Sequence, residues 1–88
     1  MELTVHAQQR ASQRAVPLSV VQAIYSYGLA YASRGATGLR LDRRSLDLAA
    51  DELAPRDVER LRRFTRTFLI ADGARVITVA RASRRHAH

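Results

Sequence analysis

The fold is decided by the stretch Phe68-Leu69-Ile70-Ala71-Asp72-Gly73-Ala74-Arg75-Val76-Ile77-Thr78-Val79. It consists of two apolar runs separated by Asp-Gly, a dipeptide that supplies the positive φ angles of a tight type I′ turn. The stretch therefore predicts a β-hairpin. Because both runs are almost continuously apolar, we expect both faces of the two strands to be covered. They should be the central strands of a small sheet with helices packed on it.

The residues before the hairpin alternate between helical and extended patterns. Thr4 is a suitable N-cap for a first helix, and Gly28 is a suitable stop for a second. With the hairpin, these segments predict a single α+β domain over residues 1–83, in which N-terminal helices pack on a small, mostly antiparallel sheet. Residues 84–88 form a short basic tail. The predicted segments are helices at 5–14 and 18–27, strands at 29–34 and 39–42, and helices at 43–53 and 56–64.

Composition excludes several classes of site. The chain has 88 residues and is 47% hydrophobic and 26% charged, as in an ordinary globular protein. It has no cysteine, which excludes a disulfide framework, a thiolate zinc site and a cysteine nucleophile. No apolar run approaches the roughly 20 residues that span a membrane, and no secretory signal is evident. We expect a cytoplasmic protein that has no membrane contact and needs neither a metal nor a cofactor.

The charge of the chain is strongly basic and unevenly distributed. The net charge is +7, and all fifteen basic residues are arginine. A GC-rich genome explains arginine in place of lysine but not the excess charge. Residues 56–88 hold nine arginines and three acids, against six and five in residues 1–55. This asymmetry predicts a surface for RNA or another polyanion, although an acidic protein would satisfy the same charge. The candidate nucleic-acid-binding residues are Arg62, Arg63, Arg66, Arg81, Arg84 and Arg85.

A second candidate site lies in the first predicted helix. His6, Arg10 and Arg14 are spaced four residues apart, which places them along one face of a helix. Histidine can transfer a proton near neutral pH, and arginine can hold a phosphate through two parallel hydrogen bonds. These three residues are therefore candidate catalytic residues that can bind a phosphate and transfer a proton, although the same spacing is compatible with a plain solvated face and names no reaction. The structural alternatives are a histidine that hydrogen-bonds the neighbouring sheet or loop, and arginines paired with Asp42 or Asp72.

The two ends of the chain together resemble a known family. The chain opens with His6-Ala7-x-x-Arg10-x-x-x-Arg14, then Val16-Pro17 and a helix closed by Gly28, and it ends with the hairpin stretch. This order is similar to a small bacterial family of domains of unknown function that opens with His-Ala-x-x-Arg-x-x-x-Arg-Gly-Ile/Val. Its members end with a strand, an Asp-Gly turn and a Val/Ile-Ile-Thr-Val strand. The likeness covers residues 3–81, and Ala15 stands where the family often has glycine.

The resemblance implies a function class as well as a fold. The family has been grouped with the α+β fold of barnase, EndoU, colicin-type tRNA nucleases and RelE-like toxins. It therefore implies a toxin-like endoribonuclease in which His6 transfers the proton, Arg10 and Arg14 stabilise the phosphate, and an acidic antitoxin is the partner. Because fold does not fix function, two alternatives stay open. One is a non-catalytic module that binds nucleic acid or protein, and the other is an interaction protein whose His-Arg-Arg motif is purely structural.

Aromatic residues add one more candidate to the nucleic-acid hypothesis. Tyr25, Tyr27 and Tyr31 could offer a platform on which bases stack. Tyr25 fits the apolar face of the second helix and is expected in the core. Tyr31, in a predicted strand, is the better candidate for stacking or catalysis. The second helix is too apolar between Val20 and Ile24 to favour a helix-turn-helix that reads DNA.

Overall fold

The computed structural model describes residues 1–82, and in them four α-helices and a five-stranded sheet confirm the predicted α+β class. The predicted tail at residues 84–88 lies outside the described residues. In chain order the elements are β1 (Glu2–Leu3), α1 (Val5–Gln13), α2 (Leu18–Tyr27), β2 (Leu29–Ser33), β3 (Ala36–Arg40), α3 (Arg43–Ala50), α4 (Pro55–Leu61), a 3₁₀ turn (Arg62–Phe64), β4 (Thr67–Asp72) and β5 (Arg75–Arg81).

The strand order of the sheet is β1-β5-β4-β3-β2. All neighbouring pairs are antiparallel except β1 with β5, which is parallel. The hairpin strands β4 and β5 are therefore both central, as predicted. The sequence analysis missed β1, because a two-residue strand is too short to have a hydrophobic pattern.

All four helices join one core on the same side of the sheet, where α1 packs on β5, α2 packs on β3 and β4, and α3 packs on α2 and α4. Leu69 in the centre of β4 pairs with Leu39 and Val79, and all three belong to one buried cluster. Every α-helix contributes side chains to the same cluster. α1 lies against β5 through the small side chains of Ala7 and Ala11, which allow the helix to approach the strand closely. The fold is therefore a two-layer arrangement of helices on a sheet.

The expectation that both faces of the hairpin are covered is wrong. Side chains alternate between the two faces of a strand, so Phe68 and Ile70 point away from the helices, and both are only half-buried. The continuous apolar run in β5 is explained by a β-bulge rather than by burial of both faces. Thr78 pairs with Ile70 and Val76 pairs with Ala71, so that Ile77 is the extra residue. The bulge lets Val76 and Val79 both reach the core, although they are three residues apart.

The hairpin turn is also one residue away from its predicted position. Asp72 pairs with Arg75, so the two central turn residues are Gly73 and Ala74 rather than Asp72 and Gly73. Only Gly73 has a positive φ, +59°, as in a type II′ turn with glycine at the first central position. The predicted type I′ turn occurs instead between β2 and β3, where Arg34 and Gly35 both have positive φ. For this reason β3 begins at Ala36 rather than at residue 39.

Helix boundaries agree with the sequence analysis more closely at their starts than at their ends. Thr4 caps α1, and the hydroxyl oxygen of Thr4 accepts from the backbone N–H of Ala7 at 3.1 Å. α3 ends at Ala50, three residues earlier than predicted, and the predicted last helix changes to a 3₁₀ turn after Leu61. None of the helices in residues 1–82 combines the length and the apolar composition needed to cross a membrane.

Candidate nucleic-acid interface

The predicted catalytic residues lie on the exposed side of α1. Ala7 and Ala11 face the sheet, and His6 and Arg10 are exposed on the helix beside them. Arg14, at the C-cap of α1, is also exposed. Residues four apart on a helix have Cβ atoms roughly 5–6 Å apart, so the three side chains follow one another along the helix as expected. We call His6, Arg10 and Arg14 the α1 strip.

The structural roles considered for the α1 strip are not found in residues 1–82. The His6 side chain has no hydrogen bond there, and neither Arg10 nor Arg14 pairs with Asp42 or Asp72. The residue that ties the start of α1 to the sheet is Thr4 instead. Its hydroxyl donates to the carbonyl oxygen of Ile77 at 3.0 Å while accepting from Ala7 N. A backbone-proximal hydroxyl at the N-cap reaches the sheet more readily than a side chain two residues into the helix.

Two cavities of the described residues have none of the α1 strip in their walls. One, of about 340 Å³, lies between α2 and α4 and is lined by Tyr27, Asp57 and Arg60 among others. The other, of about 500 Å³, lies between β1, α1 and the start of α2, with Leu3, Leu18 and Val21 in its wall. His6, Arg10 and Arg14 line neither cavity and are all exposed, so the α1 strip is an open helix surface. A surface of this kind can contact a phosphate but does not exclude water from one.

The predicted nucleic-acid-binding arginines gather where β4 begins and β5 ends. Thr67 pairs with Arg81, and the carbonyl oxygen of Arg66 accepts from the N–H of Ala82 at 2.7 Å. Arg62 and Arg63 lie in the 3₁₀ turn just before this point, and both are exposed. Arg66 is half-buried. The remaining two predicted residues, Arg84 and Arg85, lie outside the described residues.

The structure adds Arg40 to this group, which the sequence analysis missed. Arg40 is the last residue of β3 and pairs with Phe68, two residues into β4. Because β3 and β5 flank β4, their backbones are about 10 Å apart, and arginines distant in sequence lie at the same end of the sheet. Arg40 shares the face of Phe68, whereas Arg81 pairs with Thr67 and lies on the helix side. We call this region the arginine end and define it by Arg40, Arg66 and Arg81. Only strand pairing identifies Arg40, since its sequence neighbours carry no motif.

Little of this positive charge is neutralised within the described chain. The single ion pair in residues 1–82 joins Arg62 Nε to Glu59 at 3.2 Å, and both side chains are exposed. The positive charge of Arg40 does act on one carboxylate, that of Asp42 at the N-cap of α3. Its pKa is lowered mainly by hydrogen bonds from the Ser45 hydroxyl and backbone N–H, and to a lesser degree by the positive charge of Arg40.

The sheet face opposite the helices adjoins the arginine end. Two rows of paired residues cross it, and the pairing register places both rows on the same side as Phe68. Tyr31 and Leu29 are 37% and 42% exposed. No helix in residues 1–82 covers this surface, which we call the open face. Its rows are Leu29–Arg40–Phe68–Ala80 and Tyr31–Gly38–Ile70–Thr78.

The three tyrosines have different environments. Tyr25 packs against the core, and its hydroxyl donates to the carbonyl oxygen of Gly73 at 3.3 Å. The hydroxyl of Tyr27 donates to the carboxylate of Glu52, and this hydrogen bond is the main reason why the pKa of Tyr27 is raised. Tyr31 alone lies on the open face. The expectation that Tyr25 belongs to the core therefore agrees with its packing.

Comparisons of the chain with protein-family models, with curated proteins and with solved structures found no match. The resemblance to the bacterial family and its toxin-like nucleases therefore stays a prediction. Within residues 1–82, no group of three or more His, Cys, Asp or Glu side chains is arranged to hold a metal ion. The argument for function consequently rests on charge and on the geometry of the sheet.

Proposed function

We propose that this chain is an RNA-binding protein whose arginine end contacts the phosphate backbone. The observation that carries the proposal is that Arg40, Arg66 and Arg81 come from different parts of the chain to the same end of the sheet, with Arg40 on the open face and Arg81 on the helix side. None of the three forms an ion pair with another described residue. Guanidinium groups bind phosphate oxygens bidentately, and each phosphate contact releases counterions, which is the main source of sequence-independent affinity.

The geometry supports binding better than cleavage. Cleavage requires a base, an acid and cations arranged around one phosphate, whereas His6, Arg10 and Arg14 are exposed and line neither cavity. Catalysis by His6, Arg10 and Arg14, and an acidic antitoxin as partner, stay predictions from the sequence. RNA binding through the arginine end requires neither catalysis by the α1 strip nor an antitoxin partner.

The test is a salt titration of RNA binding with two matched double variants. Arg40→Gln/Arg81→Gln removes two charges from the arginine end, and Arg10→Gln/Arg14→Gln removes two from the α1 strip. For single-stranded RNA each phosphate contact contributes about 0.7 to the slope of log affinity against log salt. We expect the first variant to reduce that slope by about 1.4 and the second to change it by less than about 0.5.

Three outcomes would overturn the proposal. One is the absence of salt-sensitive RNA binding by the wild-type chain. Another is an equal decrease of the salt slope in both double variants, which would indicate that RNA is attracted by net charge and not by the arginine end. The third is RNA cleavage without divalent metal that is lost in a folded His6→Ala variant, which would make the chain a ribonuclease with His6 in its mechanism.

A further inference from the structure

The ring of Tyr31 lies flat over Gly38 on the neighbouring strand. The two residues are paired across β2 and β3. A Cβ added to Gly38 would lie equally close to ring atoms Cε2 and Cζ, and farther from the hydroxyl oxygen, at 2.8 Å. If the Cβ instead approached the ring edge beside these atoms, in the ring plane, the hydroxyl oxygen would be closer to it than Cε2 and Cζ are. The order of the distances therefore indicates that the glycine meets the face of the ring.

This arrangement leaves the other face of the ring toward solvent. One face of Tyr31 covers the buried backbone of Gly38, and the side chain is still 37% exposed. Along β3 the next residue on the same face is Arg40, and on β4 the residue paired with Gly38 is Ile70. The open face therefore presents the outer face of the Tyr31 ring, with Arg40 on the same face two residues along β3 from Gly38.

We propose that Tyr31 and Arg40 bind an unpaired nucleotide of single-stranded RNA, with the base on the outer face of Tyr31 and the phosphate on Arg40. The inference rests on the proposed RNA-binding function and names its ligand class. A flat aromatic ring matches the π-face of a base, which a base in the middle of a duplex does not present. Gly38 is a positioning residue, because any side chain there would lift the ring from the sheet.

Charge favours RNA over a second copy of the chain as the occupant of the open face. Each chain has a net charge of +7, and Arg40 brings positive charge to the open face itself. Two such faces in contact would place like charges together, whereas a polyanion neutralises them. Arg66 supplies a further phosphate contact at the same end of the sheet, since it immediately precedes β4 and Arg40 pairs with Phe68, the second residue of that strand.

The experiment compares a labelled oligouridine RNA with a blunt RNA duplex of equal length. Loss of stacking on one aromatic side chain is expected to weaken binding about tenfold. Tyr31→Leu should therefore lose about tenfold affinity for the single strand and change duplex binding by less than about twofold. Tyr31→Phe keeps the ring and should stay within about twofold of the wild type.

Two further variants test the geometry rather than the residue type. The chain has no tryptophan, so Tyr31→Trp introduces a single fluorophore, whose emission should be quenched when the single strand binds. Gly38→Val keeps Tyr31 but displaces its ring, and it should weaken single-strand binding as much as Tyr31→Leu does. The Tyr31→Leu/Gly38→Val double variant should lose no more single-strand affinity than either single variant. If Gly38→Val does not fold, the fluorescence of Tyr31→Trp still tests whether the single strand contacts this position.

The outcomes separate this inference from the proposed function. Salt-sensitive binding that is equal for single strand and duplex, and unchanged in Tyr31→Leu, would overturn the stacking site and leave RNA binding through the arginine end intact. The absence of salt-sensitive binding to either RNA would overturn the proposed function itself. Sedimentation tests the alternative occupant. If the wild-type chain is a dimer and Tyr31→Leu is a monomer, the open face binds a second copy of the chain and this inference is overturned.

Discussion

At the scale of single residues, Ala15 is held in a backbone conformation that favours glycine. Its φ is +54°, in the turn between α1 and α2. An L side chain in the left-handed region costs roughly 1–2 kcal/mol, part of which glycine recovers at the expense of a more flexible unfolded chain. The family that the N-terminal motif resembles often has glycine at this position. The local conformation therefore gives a physical reason why glycine suits this position and why alanine is the less favourable residue there.

We expect Ala15→Gly to stabilise the protein by about 0.5–1 kcal/mol, because it relieves this conformation. The measurement is urea unfolding followed by circular dichroism. Ala32→Gly, at an exposed position inside β2, is the matched control and should destabilise by about 0.5–1 kcal/mol. Equal destabilisation by both substitutions would contradict the positive φ of Ala15.

Gly28 illustrates how a correct residue can be predicted for the wrong reason. The sequence indicates a glycine stop after α2, which usually means a left-handed residue. Gly28 instead has φ −63° and ψ 152°, an extended conformation open to any residue. A Cβ at this position would collide with the carbonyl oxygen of Ile24 and approach that of Arg40 to 3.1 Å. Glycine is needed here for close packing between the helix end and β3.

At the scale of elements, one hydroxyl both starts α1 and attaches it to the sheet. Thr4 caps the helix and donates to the carbonyl of Ile77 at the bulge in β5. Thr4→Ala should destabilise the protein by about 1–2 kcal/mol, since it removes the cap and the tie to the sheet. Thr4→Ser keeps the hydroxyl and should lose less than half as much. Thermal unfolding of the two variants is the measurement, and equal losses would show that the methyl group, not the hydroxyl, matters.

The N-cap of α3 makes stability depend on pH. The pKa of Asp42 is lowered in the folded state, chiefly by the Ser45 hydroxyl and backbone N–H at 2.6 and 2.8 Å. A lowered folded pKa contributes stability above the unfolded pKa of about 3.9, and this contribution is lost as pH falls through the folded pKa. We therefore expect the melting temperature to fall as pH is lowered from 5 to 2.

The matched variants for this pH dependence are Asp42→Asn and Asp47→Asn. Asparagine keeps an acceptor at the N-cap but does not titrate, so Asp42→Asn should flatten the decrease in melting temperature below pH 4. Asp47 lies on the exposed side of α3 and controls for removal of one carboxylate. If both variants follow the wild-type curve, the cap does not contribute to acid unfolding.

At the scale of the whole molecule, the two-layer arrangement makes neighbouring residues of β4 unequal. Leu69 is completely buried against the helices, whereas Ile70 lies half-buried on the open face. Leu69→Ala should cost about 2–5 kcal/mol because it leaves a cavity in the core. Ile70→Ala should cost less than about 1.5 kcal/mol, since solvent can replace the lost methyl groups. Urea unfolding midpoints measure both, and similar costs would mean that the open face is covered.

Part of the candidate interface could be predicted from sequence. The charge asymmetry identified Arg62, Arg63, Arg66 and Arg81, which do lie near one end of the sheet. Arg40 could not be found in this way, because it joins the group only through its pairing with Phe68. Tyr31 was a candidate for stacking because of its residue type and its place in a predicted strand. Its fixed orientation depends on Gly38, seven residues away, and therefore on the register of β2 with β3.

The sequence by itself determined the α+β class, the helix starts and the central hairpin, because caps, periodicity and turn residues act over a few neighbouring positions. Tertiary structure alone decided which face of the sheet stays open, where the bulge lies and which arginines meet. These depend on strand register, and shifting a strand by one residue would exchange its two faces. Register is set jointly by turns, a bulge and the helix layer, which are distant in sequence and come together only in the folded chain.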